Sequence, residues 1–353
     1  MDIFEFYADL SKRDELASIL TLGAQQHPSG LADSFLEKDI WVTEILHLLF
    51  DEGLVGKHAV AFKGGTALSK CWGVIERFSE DIDLSIHWSD LAGEDDEEEA
   101  WVQSTSNASQ NKKFRKLQEN KLEEWSTELV KCLNNRFADY GIKDLRAELE
   151  PRTKGEKINV IFPRVTSNSN AYHLDHILLE FGGRNRGRPT VTHKTSCYIA
   201  GVEALSAVTF PTASVQALEP AYILWEKLTA LHTFSTQEKD PDTHRLARHW
   251  YDVDCLLQSQ FADPLSTLTA MRDVIKMKKN RWPQKGVDFE DVSQGNLNLV
   301  PSIDRLKEIA QDHQAAINGG MFFSEPDSFD SIVARILTVQ KAFNLAMVES
   351  AES

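Results

Sequence analysis

The sequence has few of the features that mark secreted, disulfide-bonded or membrane proteins. Its four cysteines, Cys71, Cys132, Cys197 and Cys255, lie far apart and form no CxxC pair, so we expect free thiols in a reducing compartment. The N-terminal residues carry acidic side chains early and lack a long apolar run, unlike a secretory signal peptide. Since no run approaches ~18 consecutive apolar residues, we predict no transmembrane helix, no membrane partner and a cytoplasmic location.

Three common patterns of catalytic or metal sites are also missing from the sequence. The 11 histidines show no HxxxH zinc spacing, and neither a GxSxG nucleophile motif nor a Cys–His pattern is evident. What is present is an ordinary globular composition, with 42% hydrophobic and 26% charged residues, in a chain of 353 residues that can form two domains. The formal net charge of -16 means that a nucleic-acid partner would need a local basic patch.

The hydrophobic pattern divides the chain into three parts. It predicts a helical N-terminal lead-in packed on the core over 1–55, a mixed α/β domain over 56–215 and a helical C-terminal domain over 216–353. A solvated insertion is expected near 89–113, where an acidic run covers 94–99. The apolar spacing over 35–50 predicts an amphipathic helix. Five strands are predicted, over 58–62, 81–87, 145–149, 157–162 and 176–181, which gives an α/β (α+β) fold.

Two aspartates on the second predicted strand form a candidate metal site. Asp81 and Asp83 are two residues apart, so both side chains face one side of the sheet while Ile82 and Leu84 face the core. Neighbouring carboxylates repel each other unless a cation lies between them, and Mg²⁺ or Mn²⁺ prefers oxygen ligands and often adds substrate phosphates. The alternative interpretation is an exposed polar strand face without a ligand.

A glycine turn precedes this pair. Lys63-Gly64-Gly65-Thr66 lies between a predicted strand and a predicted helix, where glycines let the backbone approach a phosphate and the first amides of the helix face an anion. Alone, the turn could be purely structural. The order strand, glycine turn, helix and strand with DxD is more specific, and 14 residues separate Thr66 from Asp81. This order predicts a triphosphate held beside metal-binding carboxylates, as nucleotidyl transfer requires.

A two-metal mechanism also needs a third carboxylate on a neighbouring strand. Glu180, which ends the apolar segment 176–181, is the candidate for a metal ligand or catalytic base. Glu150, at the end of another predicted strand, is its competitor. A glutamate at the edge of the sheet without a functional role is the alternative.

Residues 62–70 and 77–84 together resemble the AbiEii/AbiGii nucleotidyltransferase toxin family of the DNA-polymerase-β-like superfamily. Segment 36–43 is similar to the N-terminal helix of the family, 225–232 to its lysine motif, and 248–253 to its arginine–aspartate motif. The resemblance implies a nucleotidyltransferase domain with a mixed sheet and flanking helices, followed by a helical second half. It also implies a toxin of a toxin–antitoxin or phage-defence system, similar to the MenT-type toxins, which add nucleotides to tRNA 3′ ends and block translation.

The resemblance also implies roles for individual residues. Metal binding falls to Asp81 and Asp83, nucleotide contact to Lys227, and completion of the site to Asp252. Phosphate handling falls to residues of the glycine turn and the helix after it: Gly64, Gly65, Thr66 and Ser69. Lys63, at the start of the turn, is a further candidate for binding the nucleotide. One departure is His249, because an acidic residue commonly follows the arginine of that motif. From periodicity alone, Lys227 could instead lie along an apolar stripe, and Asp252 could form a salt bridge with Arg248 or Arg245.

Two basic stretches interrupt the acidic sequence and are candidate RNA contacts. Arginine side chains suit backbone phosphates, and an aromatic ring can stack on a base. The candidates are Arg184, Arg186, Arg188, Lys278, Lys279 and Arg281. Scattered surface charge is the alternative.

We therefore expect an enzyme that transfers NMP from an NTP to an RNA, with a tRNA 3′ end as the expected acceptor, and that has a possible cognate antitoxin. Transfer to a protein or small-molecule hydroxyl is one alternative function. A non-catalytic nucleotide-binding partner protein is the other.

Overall fold

The computed structural model describes residues 1–86, 91, 108–167, 174–182, 187–237, 244–261, 263–281 and 283–352. The chain divides into two units. The first consists of Met1–Glu94 with Lys116–Leu218, and the second of Asp95–Arg115 with Glu219–Ser353. The lead-in and most of the predicted mixed domain therefore belong to one unit, whereas Asp95–Arg115 group with the C-terminal residues from Glu219 onward.

Three helices open the first unit: α1 (Ile3–Ala8), α2 (Arg13–Gln26) and α3 (Asp33–Phe50). The prediction that α3 is amphipathic is wrong. Every residue from Phe35 to Leu46 is buried, including three consecutive charged residues, Glu37, Lys38 and Asp39. A helix can be covered on all sides only when its buried charges find partners, and each of these three has one in the first unit.

A sheet of seven strands forms the centre of the first unit. The strands are β1 (Val60–Lys63), β2 (Ile82–Ile86), β3 (Arg146–Leu149), β4 (Lys157–Ile161), β5 (Ile177–Gly182), β6 (Thr190–Ser196) and β7 (Thr212–Leu218). Their order is β3-β4-β5-β2-β1-β7-β6. The pairs β2–β5 and β1–β7 are parallel and the others antiparallel, so the sheet is mixed as predicted. Helix α4 (Gly64–Lys70) follows β1, and α5 (Ala108–Asp139) precedes β3.

Two of these strands, β6 and β7, are absent from the prediction. β6 begins just after the first basic stretch, and most of its residues are exposed or half-buried, so it shows no buried apolar run. β7 alternates exposed and buried residues, but its buried positions include Ala213 and Ala217, small side chains with weak strand preference. The expected insertion also differs, because α5 already begins at Ala108. Of residues 89–107, only Leu91 lies within the described part of the chain, and it is buried.

The second unit is helical, as predicted. Its helices are α6 (Pro220–Thr236), α7 (Ala247–Gln258), α8 (Leu268–Arg281), α9 (Glu290–Ser293), α10 (Ile303–Asn318) and α11 (Phe329–Glu352). Aromatic side chains fill its core: the Trp225 and Phe343 rings lie 5.4 Å apart, and the Trp250 indole donates to the Leu299 carbonyl.

Helix α11 is long and apolar enough over Phe329–Ser350 to cross a membrane, judged by length and composition alone, with a mean hydropathy of 1.2. A mostly buried core helix of a soluble protein passes the same test, whereas 17% of this window is buried. Arg335, Gln340 and Asn344 of this helix make hydrogen bonds within the second unit. These polar contacts are those of a helix packed on its own unit.

Candidate active site

Strands β1 and β2 bring the glycine turn beside the carboxylate pair. Lys63, the last residue of β1, pairs with Asp83 in β2, and Asp81 directly precedes β2. Ile82 and Leu84 are fully buried, whereas both aspartates are partly exposed. The alternation predicted from the sequence is therefore confirmed in the structure.

Gly64 touches the second carboxylate. Its φ of +72° is a conformation that residues with a side chain rarely adopt, and an added Cβ would lie 1.8 Å from Asp83 Oδ2. An added Cβ at Gly65 would lie 2.6 Å from Arg77 Nη2 and 2.8 Å from Ser79 Oγ. Both glycines are thus required by close packing, because the turn rests directly on the segment that carries the aspartates.

Thr66 and Ser69 make contacts inside the protein. Thr66 is fully buried, and its hydroxyl donates to the Asp81 carbonyl, so it ties the turn to the start of β2. Ser69 Oγ lies 2.6 Å from the phenolic oxygen of Tyr198. The phosphate contacts expected of both hydroxyls remain predictions, and in this structure both hydroxyls already have protein partners.

Glu180 lies next to Asp83. In the parallel pair β2–β5 these two residues are directly opposite, and neighbouring strands lie about 4.8 Å apart. Lys157 of β4 is opposite Glu180, so one face of the sheet carries a row of charges in the order Lys63, Asp83, Glu180, Lys157. The Glu150 N–H donates to the Lys157 carbonyl, which puts Glu150 one strand further from Asp83 than Lys157. The register therefore favours Glu180 over Glu150 as the third carboxylate.

The donor set suits a hard divalent cation. Carboxylate oxygens are the ligands that Mg²⁺ prefers, and this ion commonly uses one or two carboxylates together with water and substrate phosphates. Asp81 and Asp83 supply two carboxylates on one face. The Asp83 carboxylate occupies the space that a side chain at position 64 would need, so Gly64 allows it to lie there. Within the described residues, no group of three or more His, Cys, Asp and Glu side chains is placed to hold a metal by itself. A substrate phosphate would complete the shell.

Two predicted site residues of the second unit contact each other. Lys227 of α6 donates to Asp252 of α7, with Nζ and Oδ2 2.8 Å apart. Their side chains are 11% and 1% exposed, so this is a buried ion pair. The sequence had offered Arg248 or Arg245 as partners of Asp252. The structure adds Lys227, while the Arg248 side chain donates to the Arg245 carbonyl.

The candidate RNA contacts differ in their surroundings. Arg188 is exposed, whereas Lys279 forms an ion pair with Glu290, and Lys278 Nζ lies 5.4 Å from the centre of the Phe289 ring. The others fall outside the described residues, wholly or in their side chains: Arg184, Arg186 and Arg281. Their contact with RNA remains a prediction.

The sequence analysis did not connect the three consecutive charged residues of α3, Glu37, Lys38 and Asp39, with the candidate site. Lys38 forms an ion pair with Glu80, the residue before Asp81, and Asp39 forms one with Lys70, the last residue of α4. Three successive charges inside an apolar helix were the available signal, because such residues are almost never buried without partners. The periodicity argument assigned them to a solvated face instead.

Both the sequence and the fold are similar to those of known nucleotidyltransferase toxins. A family model described as nucleotidyl transferase AbiEii toxin, type IV toxin–antitoxin system, matches residues 47–335. Among solved structures, MenT4, a nucleotidyltransferase toxin from Mycobacterium tuberculosis H37Rv, is similar in fold, with a TM-score of 0.50 and 18% sequence identity. The match covers 92% of this chain and 89% of that one. No curated protein matches the sequence.

Proposed function

Since the chain belongs to the AbiEii nucleotidyltransferase toxin family, we propose that it transfers NMP from an NTP to an RNA, with a tRNA 3′ end as acceptor. The effect would be a block of translation, in a toxin–antitoxin or phage-defence system with a cognate antitoxin, in the cytoplasm. The observation that carries the proposal is the contact of Gly64 with Asp83, which puts a turn suited to phosphate against a metal-binding carboxylate.

In this reaction the acceptor 3′ oxygen bonds to the α-phosphorus, the α–β phosphoanhydride bond breaks, and pyrophosphate leaves. Asp81 and Asp83 would hold Mg²⁺ or Mn²⁺, which when bound neutralises phosphate charge and orients the reacting oxygens. Gly64 and Gly65 let the turn pack directly against the segment that carries the aspartates, which brings the turn that would bind the triphosphate next to the carboxylates. Lys227 keeps the role of nucleotide contact that the family resemblance implies.

Two residues are candidates for accepting the proton of the 3′ hydroxyl. Among the described residues, the exposed Glu180 carboxylate forms no ion pair, and it lies beside Asp83. Asp252 instead shares its charge with Lys227. Because the Lys227 ammonium already contacts the Asp252 carboxylate, we favour Glu180 as the base.

The test is transfer of label. The purified protein is incubated with Mg²⁺, each α-labelled NTP in turn and total tRNA, and the products are separated on a denaturing gel. We expect label on tRNA with at least one NTP, and a loss of more than about 100-fold in Asp81→Asn and Asp83→Asn. Glu148→Gln, an exposed carboxylate on β3 of the same sheet, is the matched control and should keep activity.

Other results would redirect or reject the proposal. Label on protein or on a small molecule would identify a different acceptor for the same site. NTP binding without transfer to any acceptor would favour the non-catalytic alternative. Wild-type activity in both aspartate variants would rule out these carboxylates as metal ligands.

A further inference from the structure

Helix α3 carries three buried charges in succession. Glu37, Lys38 and Asp39 are 1%, 5% and 1% exposed. A buried charge is strongly unfavourable unless it is paired and hydrogen-bonded, so the partners of each residue show what the helix holds. Each of the three contacts a different segment of the first unit.

Lys38 holds the residue before the carboxylate pair. Its Nζ lies 2.7 Å from Glu80 Oε2 and donates to the Leu174 carbonyl at 2.9 Å. Glu80 is itself fully buried and also accepts a hydrogen bond from the Leu174 N–H. Since Asp81 follows Glu80 directly, this ion pair fixes the point at which the chain enters the metal-binding strand.

Asp39 holds the end of the helix that follows the glycine turn. Its carboxylate accepts from Lys70 Nζ at 2.5 Å and from the Tyr198 N–H at 2.6 Å. Burial is the largest single influence and lowers the pKa of Lys70, but the charge and hydrogen bond of Asp39, together with Tyr198 and Cys197, raise it by more, so the pKa is raised and the amine is charged at neutral pH. Lys70 ends the seven-residue helix α4, which begins at Gly64.

We infer that Lys38 and Asp39 are positioning residues that set the spacing between the glycine turn and the carboxylate pair. They are adjacent on one helix, so their Cα atoms are about 3.8 Å apart, and the segments they hold cannot separate without breaking an ion pair. The contact of Gly64 with Asp83 tolerates little displacement, since even one Cβ does not fit. The inference deepens the proposed function and rests on it, because the site that is positioned is the proposed metal and nucleotide site.

The experiment measures metal binding separately from activity. Mn²⁺ is titrated into each variant without nucleotide and followed by electron paramagnetic resonance, and urea unfolding checks that each variant is folded. Lys38→Met leaves Glu80 buried without its ion pair, so Lys38→Met/Glu80→Gln is made beside it to remove both charges. We expect this double variant to be folded and to bind Mn²⁺ at least about 10-fold more weakly, as for other changes behind metal ligands.

Glu37→Gln is the matched control. Glu37 precedes Lys38 and is similarly buried. Its carboxylate accepts hydrogen bonds from the Val165 and Thr166 amides, and these residues lie neither in α4 nor next to β2. We expect it to lose stability while keeping wild-type affinity for Mn²⁺. Lys38→Arg, which keeps the charge, should restore most of the affinity and of kcat, which a loss of packing alone would not produce.

The outcomes separate the two proposals. A folded double variant with wild-type affinity for Mn²⁺ overturns the positioning role and leaves the proposed function standing. Equal weakening by Glu37→Gln overturns it as well, because loss of any buried charge would then suffice. A wild-type protein that neither binds Mn²⁺ nor transfers label overturns the proposed function and the inference together.

Discussion

Gly64 has no side chain, and the Asp83 carboxylate lies where a side chain would be. We predict that Gly64→Ala loses activity by displacing this carboxylate. It should also lose at least about 1 kcal/mol of unfolding free energy, since alanine is strained at positive φ. Gly73 provides the control because its φ is also positive, at +59°, and an added Cβ meets nothing within 4 Å. Gly73→Ala should show the strain alone, so equal transfer activity in the two variants would contradict the prediction.

The ion pair of Lys227 with Asp252 separates a structural role from a functional one. Lys227→Met leaves Asp252 buried without this partner, and we expect a loss of about 3–5 kcal/mol of unfolding free energy, measured in urea. Lys227→Met/Asp252→Asn removes both charges and should recover much of that loss. If Lys227 contacts nucleotide, the double variant stays inactive although stable. If the double variant recovers activity as well as stability, Lys227 and Asp252 have a structural role only.

At the scale of elements, the charge row on the sheet makes Lys157 a test of local electrostatics. Lys157→Glu adds a negative charge two strands, about 10 Å, from Asp83, which should oppose a triphosphate there by an energy of order 1 kcal/mol, or about fivefold in KM for NTP. The exposed Lys57, in the loop before β1, gives the matched charge reversal away from the row. An equal effect of Lys57→Glu would show that net charge alone acts. A rise in KM that persists at high salt would show that the effect is not electrostatic.

Some of the strands and helices could be predicted from the sequence, and others could not. Strands β1, β2, β4 and β5 were predicted because branched and large apolar residues alternate or cluster in them. The helices of the second unit were predicted from their period. β7 was missed because its buried positions include alanines, and its place beside β1 depends on a pairing over long sequence distance. Local pattern does not specify such a pairing.

In the candidate site, too, features set by local sequence were predicted, whereas contacts between distant residues were not. Asp81, Asp83 and the glycine turn were predicted from spacing alone, because strand alternation is a local property. Their attachment to α3 was not predicted, because Lys38 and Glu80 are 42 residues apart and only the fold brings them together. The pairing of Lys227 with Asp252 was missed for the same reason, since the two lie on different helices.

At the scale of the whole molecule, two buried histidines make the second unit sensitive to acid. Burial is the main cause that lowers the pKa of both His232 and His313. The unfolded chain therefore binds more protons than the folded one below the ordinary histidine pKa of about 6.5, and stability falls as pH drops through that value. His232 Nδ1 also accepts from the Asn298 N–H, a bond that a protonated ring loses.

We predict that the urea midpoint, followed by tryptophan fluorescence, falls between pH 7.5 and pH 5.5, and that His232→Asn reduces this slope. Glu37 and Glu44 act in the opposite direction, because burial raises the pKa of both carboxylates and the folded state takes up protons more readily. They belong to the first unit and are unchanged in the variant, so the difference between the two proteins isolates His232. An unchanged slope would contradict the prediction.

The bond from the Tyr198 amide to Asp39 spans 159 residues, and this separation has a consequence for when the contacts of α3 can be completed during synthesis. Translation adds about 5–20 residues per second, so roughly 8–32 s pass between synthesis of Asp39 and synthesis of its partner. Until Tyr198 has been synthesised, the Asp39 carboxylate of α3 lacks the hydrogen bond from the Tyr198 N–H. The helix that holds the candidate site is therefore made early, but its contact with Tyr198 can form only when most of the first unit has been synthesised.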